Sequence, residues 1–292
     1  MVLRFLRRTF YGFMILLLLW LIAVQAGCLS MRTSDADFTK QLREKGQKRS
    51  PVFTDLSVAG RTVHTVSIPG PDTLPALLMV HGSPGSSDAF LDYLADTSLC
   101  KIAQLATLDR PGFGYSGLGD AEGSLSAQAL AVKALADHIS PGRAVFLIGH
   151  SLGAPIIARF AMDYPDRCAG LIFVAGSIDP ELEPHPWWQK PIDRAPLKWF
   201  VPTSLWTSNH EIIPLEGELK KMLPLWERIT CPVTVIHAEN DRLVPFGNAA
   251  FAKRMITQSS RFEMNVLPDG DHFILWSRQD IVKDAIVKML GG

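Results

Sequence analysis

The sequence predicts an α/β fold: a mostly parallel, doubly wound sheet with helices on both faces and a short helical lid inserted between two strands. Three observations predict it. Apolar runs such as ALLMV (76–80) and AVFLI (144–148) are unbroken rather than alternating, as strands buried on both faces must be. Amphipathic stretches separate these runs. The runs end in glycines and polar residues, which puts the chemistry at the carboxyl ends of the strands.

The 292 residues, 47% hydrophobic and 20% charged, suffice for one substantial core with an inserted subdomain. Basic and acidic side chains number 29 each, so the formal net charge is zero and a nucleic-acid partner is not expected. There is no HExxH helix, no paired CxxC and no Gly-rich Lys-Ser/Thr phosphate loop. Zinc and nucleotide chemistry have no foothold, and no metal or organic cofactor is implied.

Residues 1–29 read as a signal peptide or membrane anchor. Arg4, Arg7 and Arg8 give a basic start, and residues 9–27 carry no charge and include ILLLLWLIAV. The segment ends Val24-Gln25-Ala26-Gly27-Cys28. Ala-Gly-Cys after an apolar run resembles the lipobox of bacterial lipoproteins, which would make Cys28 a lipidation site, although Gln25 stands where that pattern has an aliphatic residue. Val24-Gln25-Ala26 also suits a signal peptidase, and an uncut stretch of this length spans a bilayer. Lipoprotein, single N-terminal span and secreted protein all place the folded part outside the cytoplasm, the first two on the membrane of the cell envelope. Cys100, Cys168 and Cys231 then remain, an odd number that gives no disulfide framework and reads as small core residues. Residues 30–51 are charged and poor in aliphatics, the composition of a solvated tether with a short helix at its centre.

The globular part, residues 52–292, follows. DLSVAGRTVHTVSI predicts two strands joined at Ala59-Gly60 in an antiparallel hairpin. Apolar strands come next at 76–80, 102–108, 144–148, 171–175, 233–236 and 261–267. Helices are expected at 126–139, 152–164 and 246–255. Residues 177–229 break this rhythm: five of the seven tryptophans lie there, Trp187, Trp188, Trp199, Trp206 and Trp226, among eight prolines. The prolines forbid long helices, so this is the lid, its aromatics expected foremost to pack between lid and core, with direct substrate contact the alternative.

The chemistry centres on Gly149-His150-Ser151-Leu152-Gly153. A lone GxSxG is weak, but here a strand precedes it and a helix follows, the setting a nucleophile elbow needs. The helix that starts after Ser151 also aims free N–H groups at the site. A serine hydroxyl needs a base, and the base needs an orienting acid. Asp241 lies in a loop after the strand that ends near His237, and His272 lies in LPDGDHF after the last strand. Ninety residues part Ser151 from Asp241, room for the lid, and 31 part Asp241 from His272, room for one helix and one strand. Asp109, Asp269 and Asp271 are rival acids. His237 is expected to pack, His150 to shape the elbow and His81 to hold its loop. The turn His81-Gly82-Ser83-Pro84-Gly85 can present the Ser83 N–H to an oxyanion, with the Leu152 N–H as the second donor.

Strand–HGSPG, DRPGFGYS, GHSLG, the END-x-LVP loop and GDH, in that order, resemble the alpha/beta-hydrolase fold superfamily over the chain from about residue 53 onward. The resemblance implies Ser151 as nucleophile, His272 as base, Asp241 as acid, and Ser83 with Leu152 as oxyanion hole, while Arg110 and Ser116 shape the pocket wall. Haloalkane dehalogenases and epoxide hydrolases of this fold use aspartate at the elbow, so Ser151 speaks against both. The expected function is a serine hydrolase, foremost a carboxylesterase acting on a small apolar or amphipathic ester. A carbon–carbon bond hydrolase or aminopeptidase of the same fold is the alternative. A membrane-anchored binding protein without turnover is the reading from a different class.

Overall fold

The computed structural model describes residues 2–27 and 29–291. Eight strands form one sheet: β1 (Val52–Val58), β2 (Arg61–Ile68), β3 (Ala76–Val80), β4 (Gln104–Leu108), β5 (Val145–His150), β6 (Cys168–Val174), β7 (Val233–Ala238) and β8 (Phe262–Leu267). Their order across the sheet is β1-β2-β4-β3-β5-β6-β7-β8. β1 and β2 pair antiparallel around Ala59-Gly60, both in the left-handed region that a tight two-residue hairpin loop requires. β2 pairs antiparallel with β4, and every pairing from β4 across to β8 is parallel.

The unbroken apolar strands do bury both faces. Leu78, Val80, Leu147, Phe173 and Val235 join one core with helices Leu125–Ile139, Gly153–Asp163 and Gly247–Met255. Leu77, Met79, Ile148, Ile172 and Ile236 alternate with them and join the other, under helix Gln279–Gly291. The period of two sends neighbouring side chains to opposite faces, and each face has its own helical cover. The chain runs from β3 outward to β4 and then back past β3 to β5. The loops after β3 and β5 therefore diverge at a switch point, where this class of sheet opens a crevice.

Three expectations need restating. Residues 30–51 are not a solvated tether over their whole length: helix Asp35–Glu44 is charged outside, but Phe38 and Leu42, one turn apart, are buried against the second core. Buried Gln47 then donates to the carbonyl of Leu94. Second, Cys168 is a core residue as expected, but Cys231 is only half-buried; the two sit at the amino ends of neighbouring strands with their sulfurs 3.5 Å apart. Third, the tryptophans of 177–229 do not pack together between insertion and core. Trp226 is buried against Phe251, but Trp187, Trp188 and Trp199 are exposed. That segment holds six short helices and no strand between β6 and β7. At the N-terminus, helix Val2–Gln25 is long and apolar enough to cross a membrane, and its side chains are almost all exposed. Cys28 lies outside the described residues.

Candidate active site

β5 ends on His150 and the chain turns sharply into helix Gly153–Asp163. Ser151 takes φ +53°, a left-handed conformation costly for a residue with a Cβ and typical of strained functional positions. The turn is closed by its neighbours. A Cβ on Gly149 would stand 2.5 Å from the Gly153 carbonyl group, and one on Gly153 would overlap the carbonyl oxygen of Val80. The Ser151 N–H donates to the Val174 carbonyl at 2.9 Å, which holds the elbow to the end of β6.

Because β3 lies beside β5, the loop after β3 arrives next to the elbow: a Cβ on Gly82 would come within 2.9 Å of the Ser151 Cβ. Ser83 follows. Among the described residues neither the Ser83 nor the Leu152 N–H donates to a protein acceptor, so both are free for a ligand oxygen. The loop is held from below. His81 Nε2 accepts the Arg110 N–H at 3.0 Å, which leaves the proton on Nδ1 to donate to the Gly82 carbonyl at 2.7 Å. Burial, the largest cause, keeps the pKa of His81 well below the ordinary imidazole value, and the Arg110 charge adds to it, so this tautomer stays neutral.

The loops after β7 and β8 carry Asp241 and His272. His272 Nδ1 donates to Asp241 Oδ2 at 2.8 Å. The other oxygen, Oδ1, accepts from the backbone N–H groups of Leu243 (2.9 Å) and Val244 (2.8 Å). Burial alone would push the Asp241 carboxyl up, but the His272 bond and the two backbone donors outweigh it, and its pKa is lowered. Two of the rivals are occupied elsewhere. Buried Asp109 accepts from the N–H groups of Ser87 and Tyr115, and Asp271 caps the N–H of Phe273. His150 Nε2 donates to the His272 carbonyl at 3.0 Å, and the two rings lie 4.9 Å apart. Burial holds the pKa of His150 down to about 3, with the neighbouring His272 contributing. His237 packs as expected, Nε2 donating to the Val244 carbonyl at 3.0 Å. The Ser151 hydroxyl makes no hydrogen bond to His272 among the described residues; such contacts are often long in free hydrolase sites and tighten with substrate.

One buried group was not legible in the sequence. Arg110 and Glu211 pair in a fork, Nη1 to Oε2 at 2.7 Å and Nη2 to Oε1 at 3.0 Å, both side chains 1% exposed. Nη2 also donates to the Gly82 carbonyl at 2.8 Å, one residue before Ser83, and Nη1 donates to Gln128 at 2.6 Å. Glu211 lies on helix Thr203–Ile212 of the insertion, and Ser208 on the same helix accepts from the Ser83 hydroxyl at 2.8 Å. The insertion therefore touches the Ser83 loop directly through Ser208 and reaches it a second time through Arg110. One of six glutamates in residues 177–229, Glu211 gives no sequence signal for this; only Arg110 in DRPGFGYS did, and without its partner. Among the described residues no group of three or more His, Cys, Asp or Glu side chains is placed to hold a metal ion.

Comparison with known proteins agrees with this architecture. A family model for the alpha/beta hydrolase fold matches residues 75–201. Epoxide hydrolase B of Mycobacterium tuberculosis is 28% identical over 129 residues, 43% of this chain and 36% of its own length. A lysophosphatidylserine lipase of Danio rerio is 26% identical over 183 residues, 59% of this chain and 44% of its own. The chain thus spans less than half the length of these curated relatives. The crystal structure of a membrane phospholipase A superposes with a TM-score of 0.64 at 19% identity, covering 98% of both chains. With the strand order, the two-sided helical cover and the strained turn after β5, these matches show that the chain has the alpha/beta hydrolase fold.

Proposed function

We propose that the chain is a serine hydrolase, an esterase acting on an apolar or amphipathic ester through an acyl-serine intermediate. The observation that carries it is the Asp241–His272 hydrogen bond of 2.8 Å, held beside a serine elbow at φ +53°. Asp241 stays ionised and fixes the proton on Nδ1 of His272, which leaves Nε2 as the base. Nε2 takes the Ser151 proton as Oγ attacks the ester carbonyl carbon. The N–H groups of Ser83 and Leu152 receive the negative charge that develops on the carbonyl oxygen; removing one such donor typically costs about 3 kcal/mol of transition-state stabilisation. The intermediate collapses, His272 returns the proton to the departing alcohol, and the acyl group remains on Ser151. Water then gives a proton to His272 as its oxygen attacks the acyl carbon; the bond to Ser151 Oγ breaks, His272 passes the proton to Oγ, and the acid leaves.

The short helices of 177–229 act as the lid in this reading, with Ser208 and Glu211 tying it to the Ser83 loop. Helix Val2–Gln25 attaches the chain to a membrane, with Arg4, Arg7 and Arg8 on the cytoplasmic side and the hydrolase domain across it, in the cell envelope. Lipidation at Cys28 is the variant of this attachment in which the helix is removed.

The test is hydrolysis of p-nitrophenyl esters from butyrate upward by wild type and Ser151→Ala. Turnover that falls by at least about a thousand-fold in the variant supports the reading. Equal turnover overturns it, and turnover of amides or diketones but no ester moves the assignment to another hydrolase class.

A further inference from the structure

The insertion exposes an aromatic run that neither its fold nor the proposed chemistry requires. Trp187 is 85% exposed, Trp188 45%, Leu197 50% and Trp199 50%. Scattered apolar side chains are normal on a surface, but four within 13 residues of one short segment form a patch. Lys190, Arg194 and Lys198 alternate with them, all exposed and none in an ion pair among the described residues. Aromatic rings interleaved with unpaired cations match a membrane–water interface, where indoles sit at headgroup level and cations meet anionic lipid.

The same segment lies against the apolar N-terminal helix. Trp20 Nε1 donates to the Phe200 carbonyl at 2.9 Å, and Gln25 Nε2 donates to the Trp199 carbonyl at 3.0 Å. Ser204, just beyond, donates to the Leu29 carbonyl at 3.1 Å. At about 1.5 Å per residue, Trp20 and Gln25 lie roughly 18 and 25 Å along the helix from Arg8. The hydrocarbon layer is about 30 Å thick. If that helix crosses a bilayer from its basic end, residues 199–200 cannot stand in bulk water. They lie in the outer part of the hydrocarbon layer, roughly 5–12 Å short of its far boundary, with the rest of the segment within reach of the headgroup zone.

We propose that residues 187–199 are a membrane-docking surface that seats the insertion in the outer boundary of an anionic phospholipid bilayer beside the N-terminal helix. This rests on the membrane attachment proposed above and not on the hydrolase chemistry. Its partner is the lipid surface, with Trp187, Trp188, Leu197 and Trp199 in the acyl–headgroup zone and the three cations on lipid phosphates.

The test uses the full chain reconstituted into vesicles of dibrominated phosphatidylcholine with phosphatidylglycerol at about seven to three. Flotation with the vesicles is measured first, because a chain that does not float overturns the membrane attachment and this proposal together. In floating protein, tryptophan emission is compared between wild type and Trp187→Ser/Trp188→Ser/Trp199→Ser, with unbrominated vesicles as reference. Docking predicts that the emission contributed by the three indoles is blue-shifted and at least halved by bromine. Reversal of Lys190, Arg194 and Lys198 to Glu should weaken that quenching, each cation near an anionic surface being worth about five-fold in partitioning. Floating protein whose three indoles emit as in water, unquenched, overturns docking alone. So does a patch covered by a second copy, seen as a dimer that the triple variant splits with quenching absent. A chain that docks but hydrolyses nothing leaves this proposal standing and the hydrolase reading overturned.

Discussion

Glu211→Gln gives the sharpest test of how the insertion is tied to the site. In the wild type Glu211 accepts from Arg110 Nη1, Arg110 Nη2 and Gln128 Nε2 at 2.7, 3.0 and 3.1 Å, with no solvent to substitute. Glutamine keeps the volume but offers one oxygen, so its amide nitrogen must face a donor. Arg110, 1% exposed, also loses its counter-charge. Removing one partner of a buried pair typically costs about 3–5 kcal/mol. At about 2–4 °C per kcal/mol for a domain of this size, the melting temperature should drop by roughly 10 °C. Arg110 Nη2 also holds the Gly82 carbonyl, so kcat should fall with KM little changed as the Ser83 N–H drifts from the oxyanion position. Thermal unfolding in detergent and ester kinetics read the two effects. Arg110→Met/Glu211→Met, which leaves no buried charge, should recover most of the stability but not the kcat. A Glu211→Gln protein that melts within about a degree of wild type would refute the reasoning, as would a double variant no more stable than the single.

Phe38→Ala should cost about 3–5 kcal/mol, because Phe38 is 1% exposed in the second core, whereas a true tether would lose nothing; denaturant midpoints decide. Acid should weaken the fold early. His81, His150 and His237 are all held below the ordinary imidazole value, chiefly by burial, with His150 at about 3. The unfolded chain, with histidines near 6.5, then binds more protons than the folded one, so stability rises with pH in this window and is lost as pH falls from about 6.5. Urea midpoints equal at pH 7.5 and 5.5 would contradict it. Asp241, lowered in the fold, adds a further loss only when pH falls below about 4.

The parts of this molecule that the sequence reveals are those governed by local rules. Unbroken runs such as ALLMV and FLIGH have two buried faces, and that alone calls for a parallel sheet with helices on each side. GHSLG is legible because both glycines answer to steric contacts within a few residues or with the adjoining strand end. Asp241 and His272 are legible because each follows its strand within a short loop. What escaped depends on distant partners. Arg110 meets Glu211 across 101 positions, and no pattern in either segment announces the other. Trp187 and Trp226 are identical as letters in one proline-rich stretch, yet one is 85% exposed and the other 1%. Phe38 and Leu42 did carry a signal, an apolar pair one turn apart in a charged stretch, which composition alone conceals.

The central claim is that Ser151 is an activated nucleophile, and covalent capture tests it most directly. The protein is treated with a fluorophosphonate, digested, and the modified peptide sequenced by mass spectrometry, beside Ser151→Ala and Asp241→Asn. The account predicts one phosphonyl group on Ser151, none in Ser151→Ala, and labelling at least about a hundred-fold slower in Asp241→Asn, where His272 loses the partner that fixes its tautomer. A folded protein that takes no label at Ser151, or takes it at the same rate without Asp241, would contradict the account.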